Sequence, residues 1–308
     1  MTWQFSLAGL LVGVLVGMTG MGGGSLMTPI LVILFGVNPA VAVGSDIAHG
    51  AIFKTVGAVQ HRKMGNVRAQ LAGWMLLGSA PMSLLGVWLA TWLEDSYGTG
   101  VQSTMGQVLG GALLFGCVGL LAKNFVDSKP VGDEAFALQR RDRIAAVVIG
   151  LFGGFVVGLT SVGSGVFFGL TLLVVFPPRA HKVVGTDIFH AAALLYVAGV
   201  GHFVAGNVDM RAVGWLLLGS LPGVLLGGRL SLSVPEKLLR FALATVLGLS
   251  GLKLVNVPGT STAIVVVLAV GMTALLVYLG RHSWVRYSRG RTETGLTAPE
   301  ATIGSEPA

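Results

Sequence analysis

Two motifs supply most of the chemistry that this sequence can offer: GSDIAH, with Asp46 and His49, and GTDIFH, with Asp187 and His190. A spacing of i, i+3 puts each carboxylate and imidazole on one helix face. An intramembrane carboxylate is costly and marks a functional position, and histidine titrates near neutral pH. A proton relay or ion coupling follows from that reading. At span ends the same residues would instead cap helices or bond one another in the headgroup zone, and the two pairs together would also make a His/Asp metal set. Lys54 is the one basic residue well inside an apolar run. It would attract an anion, pair with Asp187, or snorkel to the membrane surface.

Two glycine-rich breaks offer a second kind of site. TGMGGGS runs from Thr19 to Ser25 and TSVGSGV from Thr160 to Val166. Backbone N–H groups at the start of a half-helix lack partners, and the helix dipole favours negative charge there. The expected anion contacts are Thr19, Gly20, Gly22, Gly23, Gly24 and Ser25 in the first break, and Thr160, Ser161, Gly163, Ser164 and Gly165 in the second. Close helix packing through small residues is the alternative use of such glycines. No lysine follows either run, which excludes a nucleotide P-loop, and GxSxG, HExxH and CxxC are all absent. We therefore assign no catalytic residue, no metal ligand and no cofactor. The alternative is an intramembrane enzyme or a channel using the Asp/His pairs.

The elements that must position these residues are membrane helices. The chain has 308 residues, 53% hydrophobic and 11% charged, and a mean hydropathy of +0.81; soluble domains carry about a quarter charged residues. Apolar runs near the roughly 20 residues of a membrane span cover Ala40–Gln60, Ala69–Leu93, Thr104–Ala122, Val183–Val204, Arg211–Leu230, Lys237–Val255 and Ala263–Gly280. Around each glycine break, over Phe5–Phe35 and Arg143–Phe176, two short helices are expected to form a hairpin, because irregular backbone survives in a bilayer only inside protein or water. The start of the chain lacks a basic n-region and reads as a first membrane segment. The net charge of +7 lies between apolar runs and in the tail, so it indicates topology and not nucleic acid.

The chain contains this plan twice. Gly185 lies 141 residues after Gly44 (185 − 44), and that offset holds without a gap from Gly17/Gly158 to Gly86/Gly227. Roughly two in five aligned positions are identical, which marks an internal repeat. Arginines 281, 286, 289 and 291 and the basic linker between the copies should be cytoplasmic. His61–Arg68 is basic, whereas its twin His202–Asp209 has no Lys or Arg. Equivalent loops then lie on opposite sides, the pattern of inverted-topology repeats in secondary transporters.

GMTGMGGGSLMTPIL from Gly17 and GLTSVGSGVFFGLTLL from Gly158 resemble the paired glycine motifs of the TauE/SafE family, the sulfite exporter and anion permease group. The GNV turns and the later GS·P motifs (Gly78–Pro81 and Gly219–Pro222) are similar to that family as well. The resemblance covers about residues 5–280 and implies a transporter of sulfite, thiosulfate or an organosulfonate in a bacterial inner membrane. The usual family pattern often has a hydroxyl and small residues where this chain has GSDIAH and GTDIFH, and Pro29 has no twin, since Leu170 stands in its place.

The expected architecture is an all-α polytopic membrane protein of two inverted-topology repeats. Residues 1–124 form the first repeat, 125–142 a cytoplasmic linker, 143–256 the second repeat, 257–280 an additional transmembrane helix, and 281–308 a cytoplasmic disordered tail. The expected partners are a small anionic substrate and the lipid bilayer, with no nucleic acid. A homo-oligomer is left open.

Overall fold

The computed structural model describes residues 2–19, 24–97, 101–122, 138–176, 180–230, 236–264 and 266. It is all-helical among those residues. The helices are α1 (Thr2–Thr19), α2 (Gly24–Ile33), α3 (Pro39–Lys63), α4 (Ala69–Tyr97), α5 (Val101–Ala122), α6 (Arg140–Thr160), α7 (Phe167–Val175), α8 (Ala180–Val204), α9 (Met210–Leu230) and α10 (Glu236–Leu254). All ten belong to one compact unit ending at Val257, and a second unit begins at Pro258. Most of the expected span Ala263–Gly280, most of the linker 125–142 and the whole tail lie outside the described residues.

Among the described residues, five helices are long and apolar enough to cross a membrane, within α4, α5, α6, α8 and α9. α3 matches α8 in length, at 25 residues, about 37 Å at 1.5 Å per residue. It falls outside that apolar class because it carries Asp46, His49, Lys54, His61, Arg62 and Lys63.

Local sequence sets the ends of α3 and α8. Asn38 caps α3 by accepting the Ala40 N–H at 2.8 Å, with Pro39 in the first turn, where its missing N–H costs nothing. Each GNV turn stops a helix with a glycine in the left-handed region, at φ 71° for Gly65 and 78° for Gly206. The Asn66 N–H then donates to His61 O at 3.0 Å, and the Asn207 N–H to His202 O at 2.9 Å, filling carbonyls that the helix end leaves bare.

Packing between the copies is reciprocal. α1 lies along α9, and α6 along α4. Gly13 faces the Ser220 backbone and Gly154 the Ser79 backbone, while Gly219 faces Ser6 and Gly78 faces Val147. Each second contact is the first one's equivalent in the other copy. Small residues let membrane helices approach to backbone contact, so these glycines are crossing points. α3 and α8 pack against each other, and Thr55 donates its hydroxyl to the hydroxyl of its own twin, Tyr196, at 3.2 Å. Buried Leu31, Ile47, Met75, Leu113, Phe168 and Leu194 fill the core. The outward faces are apolar too, with Leu77, Trp88, Phe115, Leu218 and Leu225 exposed, as lipid-facing helices require.

Candidate functional site

The second glycine break closes onto α3. Ser161 ends α6 in the left-handed region at φ 60°, its N–H donating to Val157 O at 2.7 Å. Gly163 and Gly165 follow at φ 116° and 126°, backbone that glycine adopts without a Cβ penalty. The Thr160 hydroxyl is spent inside the turn: it donates to Val156 O at 2.7 Å and accepts the Val162 N–H at 3.2 Å. The Ser161 and Ser164 hydroxyls reach across to α3 instead.

There they meet opposite charges. Asp46 Oδ2 accepts the Ser161 hydroxyl at 3.0 Å and the Thr28 hydroxyl of α2 at 2.5 Å. Lys54 Nζ donates to Ser164 Oγ at 2.8 Å and to Ser164 O at 3.0 Å. Lys54 is only 3% exposed, so it does not snorkel. Its ammonium acts electrostatically on Asp46, Asp187, His49 and His190. The other four residues expected to couple or gate thus lie within electrostatic reach of Lys54.

The histidines point elsewhere for their hydrogen bonds. His49 Nε2 pairs with Ser220 Oγ at 2.8 Å and His190 Nε2 with Ser79 Oγ at 2.9 Å. Each histidine of one copy therefore holds the GS·P serine of the other. The hydroxyls beside the two aspartates, Ser45 and Thr186, accept the Asp209 N–H at 2.9 Å and the Arg68 N–H at 3.0 Å. They tie each GNV turn to the opposite copy. Asp46 lies inside α3, whose N-terminal cap is Asn38.

In the first break, Gly20, Gly22 and Gly23 lie outside the described residues, as do the side chains of Thr19 and Ser25; Thr19 ends α1 and Gly24 opens α2. Among the described residues no group of three His, Cys, Asp or Glu side chains could hold a metal ion. Sequence reasoning passed over Thr28, Ser79 and Ser220. The two serines had a signal, since they sit inside the repeated GS·P motif. Thr28 had none, because its twin is Gly169.

A small cavity lies between α1, α3 and α9, lined by Asp46, His49, Lys54 and Ser220 together with Val12 and Phe53. Its volume is about 10 Å³, roughly what one water needs. The groups that line it therefore enclose little free space.

The family profile described as Sulfite exporter TauE/SafE matches residues 5–254. The chain is 36% identical over 257 residues to the probable membrane transporter protein YjnA of Bacillus subtilis (strain 168), covering 83% of this chain and 100% of that one. It is 24% identical over 245 residues to the probable membrane transporter protein YdhB of the same organism, covering 79% and 96%. No solved structure gives a significant match. Since the profile runs from α1 to the end of α10 and one transporter relative aligns end to end, the chain belongs to the sulfite exporter TauE/SafE family of membrane transporters.

Proposed function

We propose that this chain is a secondary permease for a small anion, a sulfur oxyanion or organosulfonate such as sulfite or thiosulfate, in a bacterial inner membrane. The observation that carries the reading is the buried Lys54 ammonium, which donates to both oxygens of Ser164 inside the second glycine break. A cation at a broken helix, with hydroxyls and glycine backbone beside it, offers an anion charge and donors together. Ser161, Gly163, Ser164 and Gly165 would contact the anion on this side, with Thr160 holding the turn that presents them, and Thr19, Gly20, Gly22, Gly23, Gly24 and Ser25 on the other. Asp46, His49, Lys54, Asp187 and His190 would couple or gate.

Alternating access by two inverted-topology repeats is part of the proposal, with residues 1–124 and 143–256 as the repeats, 125–142 and 281–308 cytoplasmic, and 257–280 as a further span. The reciprocal glycine crossings and the Thr55–Tyr196 bond support it. So does the small cavity: it is too small to hold an anion as it stands, and rigid rocking of the copies about the glycine crossings would open it.

The test is thermal stabilisation of the purified full chain by sulfite, thiosulfate, methanesulfonate and taurine, with chloride as control. A ligand that binds only the folded state at 100 times its dissociation constant adds about 2.7 kcal/mol. We expect a shift with at least one sulfur anion, lost in Lys54→Met and weakened in Ser164→Ala, while both variants still melt cooperatively. No shift with any sulfur anion, or a shift that survives Lys54→Met, removes this reading.

A further inference from the structure

The charges around Lys54 do not balance. Asp46, Asp187 and Lys54 are 1%, 4% and 3% exposed, and Asp187 and Asp46 both attract the one ammonium. They are the two buried acids among the described residues. The other ionisable groups facing Lys54 are His49 on α3 and His190 on α8, each pairing through Nε2 with a serine. α2, α4, α9 and the second break contribute hydroxyls: Thr28, Ser79, Ser220, Ser161 and Ser164. With both carboxyls ionised, this buried site inside a bilayer would carry one uncompensated negative charge, which burial strongly disfavours.

Resting on the permease reading, we infer that the Asp46–Lys54–Asp187 group holds one proton when empty and takes up a second with a monovalent anion, so that anion and proton cross in the same direction. The balance is explicit. The empty site holds one ammonium, one carboxylate and one carboxylic acid, and is neutral. An incoming monovalent anion takes the ammonium from the remaining carboxylate, and that carboxylate gains a proton from water to restore neutrality. No bond within the anion is made or broken. The hydroxyls of Thr28 and Ser161 suit either form of Asp46, since a hydroxyl donates to a carboxylate and accepts from a carboxylic acid.

The experiment has a ligand-free arm and a transport arm. In the first, infrared absorption of the purified full chain at pH 7 is searched for the carbonyl stretch of a protonated carboxylic acid. We expect the band in the wild type and its loss in both Asp46→Asn and Asp187→Asn, because the surviving carboxylate then balances Lys54 one to one. No band in the wild type, or a band that survives both variants, overturns the inference whatever the cargo. An absent band would leave the proton on His49 or His190, or nowhere, and a surviving band would place it on a carboxyl outside this group. In the second arm, weakly buffered proteoliposomes receive an inward gradient of methanesulfonate, which stays ionised near neutral pH and brings no proton of its own. The lumen should acidify by about one proton per anion, and Asp46→Asn should abolish the acidification. Methanesulfonate entry without acidification overturns the inference and leaves the permease reading standing. Absence of entry, with chloride and thiosulfate also excluded, overturns the permease reading and the co-transport together.

Discussion

The tightest structural commitment concerns Gly154, where α6 crosses α4. A Cβ built there falls within 3.0 Å of the O, Cα and C atoms of Ser79. None of these can swing away, because all are backbone of a continuous helix. Restoring ordinary contact at 3.4 Å or more would force the two helices apart by about 1 Å. Overpacking of this kind costs about 1–3 kcal/mol, against a gain of up to ~1 kcal/mol from replacing a helical glycine by alanine. Gly73, on α4 itself, isolates that gain, since its added Cβ meets nothing within 4 Å. Gly73→Ala should therefore be neutral or stabilising, and Gly154→Ala should be less stable than Gly73→Ala by about 1–3 kcal/mol, read as thermal unfolding in one detergent. The crossing also aims Ser79 at His190, so Gly154→Ala should weaken ligand stabilisation while Gly73→Ala leaves it intact. Equal melting temperatures for the two variants would refute the reasoning.

Two further outcomes can be checked in the same assay. Thr28→Val keeps the shape but removes a donor from buried Asp46, and should cost about 1–3 kcal/mol; an unchanged melting temperature would show that Ser161 alone satisfies the carboxylate. Ser79→Ala and Ser220→Ala remove equivalent bonds, to His190 and His49, and should each cost about 1 kcal/mol. Their effects should be similar and add in the double variant to within about 0.5 kcal/mol; one neutral variant and one damaging variant would show that the two contacts are not equivalent.

Much of the helical plan was readable along the chain. The expected span Ala69–Leu93 lies within α4, Arg211–Leu230 almost coincides with α9, and both glycine breaks separate two helices. These features are local: apolar runs of membrane length, a glycine able to take φ near 70°, an asparagine before a proline. The candidate site was legible only as a set of residue types. The i, i+3 spacing suggested that Asp46 and His49 work as a pair, yet Asp46 bonds Thr28 and Ser161 while His49 bonds Ser220. Sharing a helix face does not decide which neighbouring helix supplies the partner.

By itself, then, the sequence determined that the chain is a duplicated, membrane-spanning helical protein, and where its helices break, because hydrophobic length, glycine and repetition act over short stretches or are visible by comparing the chain with itself. Only the tertiary structure decided that Lys54 meets Ser164 and that each copy's histidine is held by the other copy's serine. Those contacts join residues more than a hundred positions apart. They follow from which glycine faces which carbonyl at the α1–α9 and α4–α6 crossings, a property of interhelical packing that no local pattern encodes.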